Sequence, residues 1–345
     1  MSKMKSLYFY GPHNMQLIEC DIPKPKSDQV LLRIKAAGIC GTDIHVINGH
    51  APAGFPLILG HEVSGEVVEL GSEVSTLKVG DRVTVDPNVF CGHCSFCRTN
   101  DIHLCKNNRC FGLFADGGFA EYAVINANFA YPLPDSVSWL EGAMVEPIAC
   151  CMHGAEIAQY RTGDSVLIHG VGAIGNIHVQ LARLHGASTI IVSDPIESRR
   201  ELALKMGADY AFNPVTQDIY AEVRKILPDG PRIIIDCSGR PEVIENSVSQ
   251  VRWGGRIVMF GVCPSDATIK INPAYMNDRE ISLCGSYDYI YSHSAAIQLI
   301  SSGRLNIRPL ISHTFTLQEY EEAFNTFGTK NSMKIMITPN GELNE

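Results

Sequence analysis

No uninterrupted apolar run in the 345-residue chain approaches the roughly 18 residues of a membrane-crossing helix, so no transmembrane segment is expected. There is no long basic run either. The 37 acidic side chains outnumber the 28 basic ones, for a net charge of −9. Such a balance argues against nucleic acid and anionic membranes as partners. The stretch from Met1 to Gly11 lacks the apolar segment of a secretory signal, and a cytoplasmic location is expected. Repeats and low-complexity segments are missing. With 45% apolar and 19% charged residues there is no signature of disorder. The length exceeds one average domain and fits two.

Cysteine, by contrast, is plentiful, at 12 residues. Cys91-Gly92-His93-Cys94-Ser95-Phe96-Cys97, closed by Cys105, sets three thiols at intervals of three and a fourth after a short gap. In a chain without a secretion signal, this spacing reads as metal binding rather than disulfides. Four sulfur ligands close one Zn²⁺ tetrahedrally and leave no open position, so this ion shapes a lobe, residues 86–110, and performs no chemistry. Cys20, Cys237 and Cys284 lie in apolar surroundings and read as small buried hydrophobes. Upstream lies a second set: Cys40, then the adjacent His61 and Glu62. Taken singly, His61 is an ordinary satisfied histidine and Glu62 a solvated surface charge. Taken together, thiolate, imidazole and carboxylate plus water make an open, catalytic kind of metal sphere. One sulfur with one or two carboxylates admits Mn²⁺ or Co²⁺ as well as Zn²⁺.

Residues 1–145 read as short β runs, such as 30–37, 65–70 and 82–85, broken by Gly, Pro and Asp turns. This patterning predicts a β-barrel with long loops. Beyond Glu146-Pro147 the texture changes. Strands at 165–170, 189–194, 231–236 and 256–260 alternate with helices at 147–160, 173–185, 197–206 and 242–251, the pattern of a parallel sheet wrapped by helices. The last 60 or so residues, with one helix near 295–302, are expected to return to the first domain. Gly170-Val171-Gly172-Ala173-Ile174-Gly175 follows the first of these strands and opens a helix, and Asp194 ends the next strand. That context predicts a dinucleotide turn. Gly170 permits the turn, Gly172 admits the pyrophosphate, and Gly175 lets helix and strand pack. The helix start, with Ala173 and Ile174, offers N–H groups to the phosphates. Asp194 should accept the ribose hydroxyls and repel a 2′-phosphate, which predicts NAD over NADP. Arg199 and Arg200 nearby are the contrary signal. Asp194 as a simple helix cap is the plainer alternative. Gly261 and Val262, just past the strand at 256–260, are also expected to touch the cofactor.

In Cys40-Gly41-Thr42-Asp43-Ile44-His45, Gly60-His61-Glu62, the four-cysteine lobe, Asp116-Gly117-Gly118-Phe119-Ala120-Glu121-Tyr122, Glu146-Pro147 and the glycine turn, the chain resembles the zinc-containing medium-chain alcohol dehydrogenases over its whole length. Glu146-Pro147 and Glu62 after His61 look most like the polyol (sorbitol-type) branch and its polyol-phosphate relatives. The resemblance implies a GroES-like β-barrel catalytic domain, residues 1–147 and 286–345, with an inserted Rossmann NAD-binding domain, a doubly wound parallel sheet, at 148–285. It implies two zinc ions per chain, one structural and one catalytic. Cys40 and His61 become fixed ligands, with Glu62 and Glu146 both candidates for a third. Thr42 and His45 match a proton relay, although Thr42 also reads as a turn hydroxyl. Asp43 matches a carboxylate that orients His61. The implied reaction passes hydride from a secondary hydroxyl of a small-molecule substrate to NAD, giving a ketose.

The substrate is read less sharply. Sorbitol-type members carry a Phe-Arg-Tyr element where this chain has Tyr287-Asp288-Tyr289, so Asp288 stands in place of the Arg and Tyr289 keeps its position toward substrate. The loop 46–60 holds no Lys or Arg, which favours a neutral polyol, while Lys106 and Arg109 keep a polyol phosphate open. The alternatives are an L-threonine 3-dehydrogenase, a sugar-acid (galactonate-type) dehydrogenase, or a non-catalytic NAD-binding relative. A homodimer or homotetramer is expected, with strand edges near 256–262 and 269–272 offered for pairing.

Overall fold

A computed structural model describes residues 2–341 and 343. The chain divides into two compact units: residues up to Ala149 with Ile290–Gly303 and those from Ile307 on, and Cys150–Tyr289 with Arg304–Asn306.

The first unit is built from β-strands whose buried positions alternate only in part, because both faces of the bent sheet are covered. Its larger sheet runs in the order Ile311–Thr316, Lys334–Thr338, Gln29–Gly38, Glu62–Leu70, Arg82–Val85 and Ala130–Pro132. Tyr122–Asn126 pairs antiparallel with Gln29–Gly38 as well. Register shifts between Leu31 and Leu32 and between Ile34 and Ala36 bend the sheet, as bulges do. A three-stranded sheet of Asn14–Asp21, Lys3–Gly11 and Leu57–Ile58 packs on the same core, which holds Leu7, Leu32, Ile34, Val63, Val83, Phe119 and Ile335. This is the expected GroES-like β architecture. The helix His293–Ser301 joins this unit for a visible reason. His293 is fully buried, its Nε2 lies 3.2 Å from the Val85 carbonyl, and its ring packs 5.1 Å from that of Tyr131.

The second unit is a six-stranded sheet in the order Tyr210–Phe212, Thr189–Ser193, Ser165–His169, Ile233–Asp236, Arg256–Met259 and Ser282–Gly285, all parallel. The order reverses between Ser165–His169 and Ile233–Asp236. That switch point is where α/β sheets of this kind bind ligands, outside the carboxyl ends of the strands. Its strands read as continuous apolar runs because both faces are covered. Val166, Ile168, Val192, Ile235 and Val258 feed one core, and Leu167, Ile191, Ile234 and Ile257 the other. The strand Arg256–Met259, expected to offer an edge, is internal. On that side of the sheet the edge strand is Ser282–Gly285, Tyr210–Phe212 forms the opposite edge, and 269–272, also expected to pair, forms no strand. The short helix Ile219–Ile226 and the strands at 311–316 and 334–338 carry no clear sequence signal, since each is brief.

Two buried histidines of this unit stay neutral. His169 accepts from the Ser193 hydroxyl (2.7 Å) and donates to Gln250 (3.2 Å), and burial holds its pKa down to about 4. His178 sits edge-on to Phe260 at 4.7 Å, with no hydrogen-bond partner at either ring nitrogen, and burial lowers its pKa to about 3. From about pH 6.5 downward the unfolded chain binds protons at these positions that the folded chain refuses. Stability therefore falls with pH, by on the order of 3 kcal/mol per histidine at pH 4. Urea unfolding at pH 7 and pH 4.5 should show this loss, and His178→Leu should remove a large part of it. An unchanged pH slope in that variant would count against the assignment.

Candidate metal centre and dinucleotide site

The first cluster begins at a helix start. Cys40 caps the helix Gly41–Ile47: its sulfur accepts the Thr42 N–H at 3.5 Å, while Asp43 Oδ2 accepts the Cys40 N–H at 2.9 Å, closing a capping box. The same Asp43, fully buried, turns its Oδ1 to His61 Nδ1 at 3.5 Å. One carboxylate thus faces both residues, and with Nδ1 turned to it, His61 Nε2 is the nitrogen that a metal would take. Burial opposes charge on His61, but Asp43 and Cys40 outweigh it and lift its pKa well above the ordinary value.

Glu62 follows on the strand Glu62–Leu70, and its Cα pairs with that of Gly38. On the other side of Gly38 runs the strand Lys334–Thr338. A side chain at Gly38 would collide with both the Glu62 carboxylate and the Lys334 stem. The bare glycine opens the slot in which Glu62 and Lys334 form a buried ion pair. Burial works against the Lys334 ammonium, yet the charges of Glu62, Cys40 and Glu146 hold its pKa above the ordinary lysine value. One ligand atom each of Cys40, His61 and Glu62 lies within 4.8 Å of the others. This donor set fits a divalent ion with an open position. Glu146 is buried in the first turn of the helix Val145–Ala158 and is not part of that three-residue group. Thr42 Oγ1 is 3.6 Å from Cys40 Sγ, and partly exposed His45 lies one helical turn further on.

The second cluster is Cys91, Cys94, Cys97 and Cys105. Sulfur–sulfur distances of 3.9 Å (91–97), 3.5 Å (94–97) and 3.9 Å (94–105) match the edge of about 3.8 Å that a tetrahedron with Zn–S bonds of about 2.3 Å requires. The thiols titrate far apart. The N–H of His93 draws Cys91 down to about 5, while burial and Cys94 push Cys97 up to about 12. Four crowded sulfurs cannot all ionise without a cation among them.

In the second unit the glycine turn has its expected form. Gly170 takes φ +81°, and a Cβ on Gly175 would strike the Gly170 carbonyl, so helix and strand meet at the backbone. Space is open over Gly172, bounded by Arg199 Nη1 at 4.0 Å. A cavity of about 470 Å³ at the carboxyl ends of the strands is lined by Gly170, Ser193, Pro195, Ser238, Arg240 and Gln250, and it fits one half of a dinucleotide. Asp194 is buried, with Oδ2 accepting the Val171 N–H (2.9 Å) and Oδ1 the Ile196 N–H (2.8 Å). It therefore ties the turn to the next strand and caps the following segment, and each oxygen keeps a second lone pair. Arg200 braces the Asp194 carbonyl at 2.7 Å. Gly261 packs against Gly239, while Val262 is exposed. Tyr289 is buried, only 2% exposed.

Lys334 and Asp236 escaped the sequence reading. Asp236 accepts the Ser238 N–H and hydroxyl and the Gly239 N–H, which shapes the loop beside the cavity. The run Asp236-Cys237-Ser238-Gly239 after an apolar strand carried that signal. Nothing around Lys334 did.

An ion-binding β unit joined to a parallel-sheet dinucleotide unit defines a metal-dependent oxidoreductase. Comparison with known proteins gives the family. An alcohol dehydrogenase GroES-like domain matches residues 26–135, and a zinc-binding dehydrogenase domain matches residues 173–302. An L-threonine 3-dehydrogenase of Pyrococcus horikoshii is 36% identical, with 97% of each chain covered. A sorbitol dehydrogenase of Gallus gallus is 35% identical, over 94% of this chain and 93% of the relative. A Sinorhizobium meliloti structure described as a zinc-binding dehydrogenase, with NADP bound, superposes with a TM-score of 0.96 at 35% identity, covering 98% of this chain and 100% of the other. The chain belongs to the zinc-binding alcohol dehydrogenase family and is a dehydrogenase. No helix among the described residues is long and apolar enough to cross a membrane.

The Glu62–Lys334 pair makes a direct prediction. Lys334→Met strands a buried carboxylate and should cost about 3–5 kcal/mol in denaturant unfolding. Adding Glu62→Gln should restore most of it. A single variant as stable as the parent would show that the pair does not hold.

Proposed function

We propose that this dehydrogenase oxidises a secondary hydroxyl of a polyol or polyol phosphate to a ketone, with NAD as hydride acceptor. The observation that carries this reading is the convergence of Cys40, His61 and Glu62 within 4.8 Å, with the Thr42 hydroxyl 3.6 Å from the Cys40 sulfur. Cys40 and His61 would hold the ion, with Glu62 or Glu146 as a third donor. When bound, zinc supplies Lewis acidity that makes a nearby hydroxyl easier to ionise. The residues do the rest. Thr42 takes the hydroxyl proton, and His45, at the end of the same short helix and partly exposed, releases it to solvent. Asp43 keeps His61 in the tautomer that leaves Nε2 free. The glycine turn and Arg199 hold the pyrophosphate. Alignment of the two reactants is the main contribution to rate.

Support for a polyol comes from the sorbitol dehydrogenase relative and from the uncharged loop 46–60. The second reading, oxidation of L-threonine, rests on the Pyrococcus horikoshii relative. A homodimer or homotetramer belongs to this proposal as well, through the edge strand Ser282–Gly285.

Zinc-loaded protein assayed with polyols, polyol phosphates, galactonate and threonine should form NADH fastest with a polyol-type substrate. Preference for threonine would move the assignment to the second reading. Cys40→Ser and His61→Ala should each lower kcat by at least about a thousandfold while NADH still binds, since only the metal centre is lost. Turnover that survives in a variant shown to lack this metal would refute the site.

Cofactor choice is a separate expectation. The Asp194 carboxylate beside the ribose position should make kcat/KM at least about tenfold higher with NAD than with NADP. The reverse ratio would mean that Arg199 and Arg200 dominate, in line with the NADP bound to the Sinorhizobium meliloti relative.

A further inference from the structure

At the amino-terminal rim of the parallel sheet, opposite the strand ends that carry the glycine turn, four arginines gather. The backbone dictates the gathering. Arg232 precedes the strand Ile233–Asp236 and donates its N–H to Ser165, the first residue of the neighbouring strand, at 3.0 Å. Its own carbonyl accepts the Arg256 N–H at 2.9 Å. Arg252 donates to the Pro231 carbonyl at 3.0 Å, and Arg161 accepts from Asp164, the residue before Ser165, at 3.0 Å. Arg161 and Arg252 are exposed, whereas Arg232 is only 6% exposed.

The Arg232 side chain makes no hydrogen bond or ion pair among the described residues, and its Nη1 is fully enclosed without a partner. The Arg256 Nε is likewise enclosed and unpartnered, although its two terminal nitrogens reach Cys284 and Gln159. The carboxylate that acts most on Arg232 is Asp164, whose Oδ2 is already engaged by the Arg161 N–H at 2.7 Å. Burial and the three neighbouring guanidinium groups press the Arg232 pKa below its usual value. A buried cation without a counter-charge is costly, and proteins resolve that cost by pairing. Arg232 has no carboxylate at ion-pair distance among the described residues to meet that cost.

We propose that this rim is an anion site, with Arg232 at its floor and Arg161 and Arg252 around it, and that its ligand is a phosphate-type oxyanion. The guanidinium fork suits that ligand because it offers paired N–H donors to adjacent oxygens. The ligand is either free phosphate or the phosphoryl group of a small ester. It lies apart from the dinucleotide cavity, which opens at the other ends of the strands, and does not depend on the proposed reaction.

The test uses the zinc-loaded protein with its dinucleotide site saturated by NADH. Thermal unfolding is followed against inorganic phosphate, against methyl phosphate, and against sodium chloride at matched ionic strength. The expected result is a rise in Tm with phosphate or its ester well beyond that with chloride. Inorganic phosphate acting at the lower concentration identifies the free ion, and the ester acting at the lower concentration identifies an ester ligand. Arg232→Met should weaken the response at least tenfold while remaining folded, since it removes an unpaired buried charge. Arg252→Gln, at an exposed position, should weaken it several-fold. A response equal to that of chloride, or one unchanged in Arg232→Met and Arg252→Gln, overturns the proposal. So does an absent response together with loss of self-association in Arg232→Met, because the arginines would then face a second copy of the chain.

Discussion

The carboxylate of Asp43 is the constraint from which the metal centre follows. It closes the helix start at Cys40 with one oxygen and meets His61 Nδ1 with the other. The two residues lie far apart in sequence, one at the mouth of a helix and one at the start of a strand. Without a shared buried acceptor, neither the imidazole plane nor the position of the thiol would be defined to the few tenths of an ångström that metal coordination requires. Asp43 itself is fully buried, so its charge is felt at close to full strength by both partners.

Around that core the electrostatics are unbalanced in a telling way. Cys40, Asp43, Glu62 and Glu146 are acidic groups of one neighbourhood, and Lys334 is the lysine that answers them. A lone ammonium offsets only part of that charge. A divalent cation would supply the remainder, which is why the centre reads as a metal site even from side chains alone. Lys334 would also compete with such an ion for Glu62. A carboxylate already paired would be a weaker ligand than a free one.

Much of this was legible in the sequence, and the reasons are local. The thiols of 91–105 and the pairs around Cys40 and His61 declare themselves by spacing. The glycine turn does so by its strand on one side and helix on the other. The parallel sheet shows because its strands are uniformly apolar and regularly punctuated. What stayed hidden depends on register between distant segments. Lys334 meets Glu62 only because Gly38, on the strand between them, has no side chain. The hydrogen bonds that occupy Asp194 depend on where the Val171 N–H falls in three dimensions, so a residue read as a ribose acceptor also works as a strut. The internal place of Arg256–Met259 follows from Ser282–Gly285 adding beyond it, a four-residue strand too short to stand out.

The central claim is that one chain holds two ions in unlike surroundings. X-ray absorption at the zinc edge reads this directly. The account predicts two zinc ions per chain and an average shell of two to three sulfurs at about 2.3 Å with the remainder nitrogen or oxygen at about 2.0–2.2 Å, which becomes purely sulfur when Cys40 and His61 are both replaced. A single zinc with four sulfurs in the parent protein would contradict it.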